Sequence, residues 1–233
     1  MQGYPTRSIL LLAIAAVLIV PVVAGEPTAK EPERNWGALT VSFEHRTDDS
    51  VIRQYELPAL AQLSYLVGAE GACVVVDPQR DVDTYVRDAE ALGLEITAVI
   101  LTHAHTDCVA GHAELAMRTG ARVVRSADLE LGWQPLAHGP PGVEVRPLEG
   151  GARDGLLARL RRGGDGRTSV FTGDTLLVGT VQSPEDIELD SDVMSRAEQT
   201  LDAVQAVSLL GDETRILPGH GAGRFGGRVL EPD

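Results

Sequence analysis

The sequence is poor in cysteine and in basic residues. Only two cysteines, Cys73 and Cys108, occur in 233 residues, too few for the disulfide framework that stabilises many small secreted domains. The 34 acidic residues outnumber the 20 basic ones, and the formal net charge is −14. Nucleic acid and anionic membrane surfaces repel such a chain, so we expect neither as a partner. The net charge does not exclude a small substrate, because the binding of a small molecule depends on local charge.

Internal repeats and low-complexity blocks are also missing, and the N-terminus carries the one long apolar stretch. It runs from Ile9 to Val20, after the cation Arg7 and before small residues that end at Ala24. This order is typical of a secretory signal peptide, and the stretch is short for a membrane span, which needs about 20 residues. We predict a signal peptide over 1–24 and a secreted or periplasmic location, with a retained membrane anchor as the alternative.

A flexible, Pro-rich linker is predicted over 25–36, and a single domain over 37–233. Hydrophobic periodicity predicts strands at ALTVSFEH, QLSYLVG, ACVVVDP, ITAVILT and ARVVRS, followed later by two strands within GLLARLRRGGDGRTSVFTGD and a short one in TRILPG. Helices are predicted in DVDTYVRDAEALG, VAGHAELAMRTG and MSRAEQTLDAVQAVSLLG, and residues 128–155 are predicted to be a loop. Alternating strands and helices, with polar residues collected at strand ends, predict an α/β layered fold whose site lies on one rim.

The strand ITAVILT is followed by His103, His105 and Asp107 at alternate positions. Side chains at alternate positions share a face, so two imidazoles at a strand end can bind one ion. Asp107 can reach a neighbouring ion or hold a water molecule, and we assign it a catalytic role as well. Packing is a poor explanation for these residues, because burying histidine or aspartate without polar partners destabilises the folded protein.

Two later segments repeat the order of apolar strand, polar ligand-type residue and glycine. Asp174 follows the strand in FTGDTLLVG, and His220 follows the strand in ILPGHGAG. Either residue taken alone is better explained as a cap or turn residue. Together with the His-x-His-x-Asp segment they predict one shared metal site that contains His103, His105, Asp107, Asp174 and His220.

At these motifs the chain resembles the metallo-β-lactamase-fold superfamily. THAHTD, FTGDTLLVG and PGHG occur in the order of that family, and the resemblance covers about residues 50–225. It implies a single-domain αββα sandwich with metal at one sheet rim. VDPQRDVDTYVRDAEALGLEITAVILTHAHTD and AGHAELAMRTGA are most similar to the persulfide dioxygenase group, including its forms fused to a rhodanese domain. Hydroxyacylglutathione hydrolases share the same general pattern.

Two positions depart from the family pattern. The dinuclear hydrolases have histidine after the motif aspartate, where this chain has Cys108, whose thiolate is an alternative zinc ligand. The dioxygenases have a third iron-binding histidine, which an ungapped alignment from Val143 places at Gly151. His138 is a candidate replacement or a plain loop residue, and His112 is a candidate substitute or a helix-surface residue.

The resemblance implies a metalloenzyme that oxidises a small thiol persulfide, of the glutathione persulfide type, at a mononuclear iron. Fe(II) is the expected cofactor, bound in that reading by His103 and Asp174 with a surrogate third ligand. The alternatives are a zinc-dependent thioester hydrolase of the hydroxyacylglutathione type, and a catalytically impaired descendant that lacks the histidine at position 151. We expect a small thiol or thioester as substrate and no stable membrane partner, and the sequence leaves a homodimer open.

Overall fold

Two β-sheets packed face to face form the centre of the protein. The computed structural model describes residues 37–105, 108–148, 155–161, 165–178, 180–181 and 193–221. The predicted signal peptide over 1–24 and linker over 25–36 therefore lie outside the described residues. Within those described ranges, no helix combines the length and the apolar character that a bilayer span requires.

The first sheet has six strands that follow each other in chain order. They are β1 (Thr40–Arg46), β2 (Ser50–Leu57), β3 (Gln62–Ala69), β4 (Ala72–Val76), β5 (Glu95–Ile100) and β6 (Arg122–Val124). The first four strands pair antiparallel, whereas β4, β5 and β6 pair parallel. Parallel neighbours need crossover connections, which the helices α1 (Val82–Leu92) and α2 (His112–Thr119) supply. The carboxyl ends of these parallel strands therefore share one edge.

The second sheet has the strand order β13-β10-β9-β8-β7. Its members are β7 (Gln134–Pro135), β8 (Val143–Pro147), β9 (Leu156–Leu160), β10 (Ser169–Gly173) and β13 (Arg215–Pro218). A small hairpin of β11 (Leu176–Leu177) and β12 (Thr180–Val181) follows β10, and helix α3 (Val193–Ser208) precedes β13. Strands β10 and β13 pair parallel, so their carboxyl ends also lie side by side.

Three hydrophobic clusters show the order of the layers. Between the sheets, Tyr65 of β3 packs against Phe171 of β10 with ring centroids 5.1 Å apart. On the outer face of the first sheet, Tyr85 of α1 packs edge-on against Tyr55 of β2. On the outer face of the second sheet, α3 buries Ala203 together with strand residues. The layers therefore run α–β–β–α, and the predicted αββα sandwich is confirmed.

Parts of the element prediction are wrong. The segment 128–155, predicted to be a loop, contains β7 and β8, because its Gly-Pro cluster is confined to the turn before Val143. In β8, Val143 and Val145 are buried while Glu144 is half-buried, the alternation of a strand. Strand β2 was not predicted, since SVIRQYEL mixes charged and apolar residues on a sheet that is only partly covered. Helix α2 begins at His112 rather than three residues earlier.

The two cysteines are separate free thiols. Cys73 lies in β4 and is fully buried, and burial raises the pKa of its thiol to about 12, with a smaller contribution from Glu95. It therefore stays protonated and packs as a small apolar side chain. Cys108 is half-buried.

Candidate metal centre

Four strand ends meet at one rim of the sandwich, and each one delivers polar side chains. Asp77 follows β4 and His103 follows β5 in the first sheet, while Asp174 follows β10 and His220 follows β13 in the second. The backbone amide of Leu156 donates to the carbonyl of Thr102 at 2.8 Å and so ties the two sheets together at this rim. The parallel pairs within each sheet thus place residues that are distant in sequence side by side.

Asp174 lies between two imidazoles from different sheets. Its Oδ2 is 3.9 Å from Nε2 of His103, and its Oδ1 is 3.6 Å from Nε2 of His220. Two donors that bind one ion at about 2.1 Å with tetrahedral angles lie roughly 3.4 Å apart. The observed separations are therefore close to those of ligands around a shared cation. The rings of His103 and His105 also lie near each other, with centroids 4.2 Å apart.

Glycines let the strands approach closely at this point. The amide of Gly219 donates to the carbonyl of Gly173 at 2.7 Å, and the amide of Leu63 donates to the carbonyl of Gly219 at the same distance. A Cβ at Gly219 would lie 2.8 Å from Oδ1 of Asp174, closer than real Cβ contacts. The glycines in TGD and PGH are therefore required by the packing around the carboxylate.

Replacing Gly173 by alanine should disrupt the site. Gly173 has φ +52°, and an added Cβ would overlap Oγ1 of Thr102 and come within 3.2 Å of Nδ1 of His103. The left-handed conformation alone costs about 1–2 kcal/mol for alanine. The overlap adds to that cost, and we expect Gly173→Ala to lower the free energy of unfolding by more than about 2 kcal/mol and to weaken metal binding.

The matched control for this prediction is Gly93→Ala. Gly93 caps α1 with φ +68°, and an added Cβ there would meet nothing within 4 Å. It therefore reports the backbone cost without the overlap. Denaturant unfolding and metal titration of both variants separate the cost of the left-handed backbone from the cost of the steric overlap. Equal losses of stability for Gly173→Ala and Gly93→Ala would show that close packing at the rim is unimportant.

The histidines that face Asp174 are held by their second ring nitrogen. Nδ1 of His220 donates to the carbonyl oxygen of Leu60 at 3.1 Å. Nδ1 of His103 lies 2.9 Å from Oγ1 of Thr102, which gives its own hydrogen to Asp77, so the imidazole is the donor in this contact. Both rings therefore keep the hydrogen on Nδ1 and present Nε2 as the ligand atom. Such hydrogen bonds fix the tautomer and orientation of metal-binding histidines.

Asp77 is the centre of this supporting network. Its Oδ1 accepts from the amide of Thr102 at 2.8 Å and from Nε2 of His105 at 3.1 Å, and its Oδ2 accepts from Oγ1 of Thr102 at 2.6 Å. Burial would raise the pKa of Asp77, but the hydrogen bond with His105, the nearby charges of His105 and His103, and Thr102 together lower it. The buried carboxylate therefore stays ionised.

We assign Asp77 an orienting role rather than a ligand role. Ligand atoms of Asp77, His103 and His105 lie within 4.8 Å of one another, which is compatible with a shared ion. However, both oxygens of Asp77 are engaged by Thr102 and His105. Since Nε2 of His105 donates its hydrogen to Asp77, the ring would bind a metal ion through Nδ1. Asp77 was not predicted as a site residue, although it follows an apolar strand and precedes a turn, which was the available signal.

His105 is strongly basic in the absence of metal. Burial would lower its pKa, but hydrogen bonds with Asp77 and with the Cys108 side chain raise the pKa of His105 to about 11. Cys108 thus lies against the imidazole that it follows in sequence. A metal ion requires neutral imidazole ligands, so binding must displace a proton from this pair.

The metal-free protein should lose stability as the pH rises above neutrality. The folded pKa of His105, about 11, lies above its ordinary value of 6.5. A group with a raised pKa stabilises the folded state fully below about pH 6.5 and loses that contribution as the pH rises towards the folded value. We expect the free energy of unfolding to fall by up to about 1 kcal/mol per pH unit between pH 7 and 10.

Thermal melts of the chelated protein across this pH range provide the measurement. Asp77→Asn is the matched variant, because it removes the carboxylate that raises the pKa of His105. Its melting temperature should be less sensitive to pH over the same range. A wild-type protein that keeps its stability from pH 7 to 10 would contradict the ionised Asp77–His105 pair.

The other sequence-predicted residues fall into two groups. Asp107 and Gly151 lie outside the residues that the structure describes. His138 is exposed in the turn between β7 and β8, with φ +64°. His112 is the first residue of α2, and it lines a cavity of about 370 Å³ together with His103 and His105. The site therefore opens onto a space that fits a small ligand.

The donor set fits a transition metal ion. His103, His105 and His220 supply imidazoles, and Asp174 supplies a carboxylate. Imidazole suits zinc and iron alike, and two histidines with one carboxylate form the usual set for non-haem Fe(II). The chemistry of the donors therefore admits both metals.

Comparison with known proteins gives concordant results. The hydroxyacylglutathione hydrolase of Cereibacter sphaeroides is 30% identical over 152 residues, which cover 62% of this chain and 57% of that protein. The hydroxyacylglutathione hydrolase of Acidiphilium cryptum is 40% identical over 72 residues, which cover 30% of this chain and 29% of that protein. The chain thus spans less than two thirds of the length of these relatives.

Solved structures show the same fold. A metallo-beta-lactamase from Staphylococcus aureus has a TM-score of 0.62 at 26% identity, covering 76% of this chain and 57% of that one. ETHE1 from Myxococcus xanthus has a TM-score of 0.60 at 29% identity, covering 74% of this chain and 76% of that one. The family model described as the metallo-beta-lactamase superfamily matches residues 57–220, a span that contains every strand end of the metal centre. The chain therefore belongs to the metallo-beta-lactamase superfamily.

Proposed function

We propose that the protein is a mononuclear iron enzyme of the persulfide dioxygenase type, which oxidises a small thiol persulfide such as glutathione persulfide. The observation that carries this proposal is the convergence of two imidazoles and one carboxylate, in which Nε2 of His103 and Nε2 of His220 lie 3.9 and 3.6 Å from Asp174. This is the ligand set of non-haem Fe(II) oxygenases, which keep open positions for substrate and O2. The similarity to ETHE1 supports the same choice.

A single ion is favoured by the residue at position 108. Dinuclear relatives need a second cluster of imidazoles, and this chain has Cys108 where such a histidine is expected. The Cys108 side chain lies near His105 and contributes to its raised pKa. We therefore assign the site one metal, with His220 as the third ligand in place of the histidine that is missing at Gly151.

The chain's own residues prepare the site for this chemistry. Asp77 holds His105 directly and His103 through Thr102, so the ligands are orientated before an ion binds. Asp174 is 9% exposed and His220 is 5% exposed, so bulk water is largely kept from the shared carboxylate. Bound Fe(II) would supply adjacent positions for the terminal sulfur and O2, which makes their meeting effectively intramolecular.

The overall reaction consumes one persulfide, one O2 and one water, and yields one thiol and one sulfite. The terminal sulfur is oxidised by four electrons, O2 is reduced by the same four electrons, and the S–S bond is broken. No other oxidant or reductant is required. The cavity beside His103 and His105, at about 370 Å³, is within the usual range for small-molecule sites.

The test is O2 consumption by protein loaded with Fe(II) under anaerobic conditions. We expect glutathione persulfide to consume O2 and to yield sulfite in equal amounts, and the zinc-loaded protein to be inactive. The control is a His138→Ala variant, whose exposed turn residue should leave the activity unchanged. Iron-loaded protein that binds one ion per chain and consumes no O2 would refute the dioxygenase.

The second candidate is a zinc-dependent thioester hydrolase. It is favoured by the relatives named as hydroxyacylglutathione hydrolases, one of which is 30% identical over 152 residues. In this reading bound zinc would lower the pKa of a water molecule, and Asp107 would orient it, as expected from the sequence. Cleavage of a hydroxyacylglutathione thioester by the zinc-loaded protein, without O2 consumption by the iron-loaded protein, would select this candidate.

Gly151→His tests whether the site is a catalytically impaired one. If His220 already completes the ligand set, the added histidine should leave iron content and activity within about threefold of the wild type. A gain of about tenfold or more in bound iron and in activity would instead indicate that the wild-type site lacks a ligand. Metal analysis and O2 consumption of the two proteins, measured side by side, provide the comparison.

A further inference from the structure

The cavity beside the metal centre has one cationic wall. Arg125 lines it together with His103 and His105. The residue directly follows β6, whose parallel neighbour β5 delivers His103 at the same sheet edge. The topology therefore places a guanidinium next to the metal-binding histidines, although Arg125 is 22 residues further along the chain.

Arg125 has no acidic partner among the residues that the structure describes. Other arginines of the chain form ion pairs, such as Arg53 with Asp88 and Arg146 with Asp202. Asp128, the nearest acidic residue in sequence, accepts a hydrogen bond from the backbone amide of Arg125. In a chain with 34 acidic and 20 basic residues, an arginine that lines a cavity without a carboxylate is available to an anionic ligand.

His112 does not add a positive charge to the cavity wall at neutral pH. It lines the same cavity, and burial, followed by the charges of Arg125 and His105, lowers its pKa below the ordinary value. The imidazole is therefore neutral at pH 7. Arg125 is the one arginine or lysine among the described residues that line the cavity.

We infer that Arg125 binds a carboxylate of the substrate and so selects small thiol derivatives that carry a carboxylate, as glutathione does. A guanidinium recognises a carboxylate with two parallel N–H···O bonds, and it keeps its charge at all working pH values. The site for the anion is the end of the cavity at β6, while the sulfur is directed to the metal centre. This inference rests on the proposed function only for the sulfur-containing part of the substrate.

The experiment is calorimetric binding to the zinc-loaded protein of two inert probes. S-methylglutathione carries both carboxylates, and its diethyl ester has both masked. We expect Arg125→Gln to bind S-methylglutathione about 10- to 100-fold more weakly than the wild type and to bind the ester as the wild type does. Arg125→Lys should recover part of the affinity, because it keeps the charge and loses the bidentate geometry.

The matched control is Arg122→Gln. Arg122 is the exposed first residue of β6, three positions before Arg125. It is also without an acidic partner among the described residues, and it is not among the residues that line the cavity. This variant should bind both probes like the wild type. Wild-type protein that binds the probes equally, or binds neither, overturns the inference, as does an equal loss in Arg122→Gln and Arg125→Gln. Since neither probe reacts, absence of O2 consumption or thioester cleavage would refute the proposed function and leave this result unchanged.

Discussion

Asp174→Asn should bind the metal ion more than about 100-fold more weakly than the wild type, while the metal-free variant stays folded. Removing a partner that merely supports a ligand typically costs about 10- to 100-fold, and Asp174 is itself the shared group between two imidazoles. Its Oδ1 and Oδ2 lie 3.6 Å and 3.9 Å from the ring nitrogens of His220 and His103. Asparagine keeps the shape of the side chain, so the loss reports the carboxylate charge rather than a cavity.

Competition with a chromogenic chelator measures this affinity, and circular dichroism checks the fold. Asp83→Asn is the control, because Asp83 is 74% exposed and pairs with Arg118 away from the histidine cluster. Asp174→Glu should also fail, because Gly219 packs directly against the carboxylate and leaves no room for a longer side chain. Metal affinity of Asp174→Asn within threefold of the wild type would mean that the ion lies elsewhere.

Asp77→Asn should weaken both the fold and the metal site, although Asp77 binds no metal in our assignment. Asp77 accepts three hydrogen bonds, two from Thr102 and one from His105. Asparagine has one acceptor oxygen and a donor amide. If its oxygen keeps the contacts at Oδ1, its amide must donate to the Thr102 hydroxyl, which then gives its hydrogen to Nδ1 of His103. The proton of His103 moves to Nε2, the atom that faces Asp174.

We expect Asp77→Asn to bind metal about 10- to 100-fold more weakly than the wild type. Breaking one side of a buried ion pair typically costs about 3–5 kcal/mol, so the metal-free variant should also be less stable. Thr102→Ser is the control, since it keeps the hydroxyl relay, and Thr102→Val removes the relay while keeping the Asp77–His105 contact. A near wild-type metal affinity in both Asp77→Asn and Thr102→Val would refute the relay.

The regular elements of the fold were predictable where one physical signal dominated. Helices α1 and α2 end at Gly93 and Gly120, both in the left-handed conformation, as their amphipathic spacing and terminal glycines indicate. Strand β8 was not predicted because a Gly-Pro turn precedes it directly. Strand β2 was not predicted because Arg53 and Glu56 interrupt its apolar pattern. In both cases strand pairing with a distant neighbour outweighs the local composition.

The metal centre was predictable in part. His103, Asp174 and His220 each follow an apolar strand, glycines adjoin the last two, and the structure brings all three together at one rim. Asp77 was not singled out, because an aspartate before proline at a strand end has an ordinary turn explanation. Arg125 has no motif around it at all. Its place beside the histidines follows from the parallel pairing of β5 with β6, which is a long-range feature.

X-ray absorption spectroscopy of the iron-loaded protein identifies the ligands of the ion and the number of ions per chain. We expect one iron per chain with nitrogen and oxygen ligands only, including the multiple-scattering signature of the two imidazoles of His103 and His220. Asp174→Asn should remove this signal. Two metal ions per chain, or a sulfur ligand from Cys108 at about 2.3 Å in the substrate-free protein, would contradict this expectation.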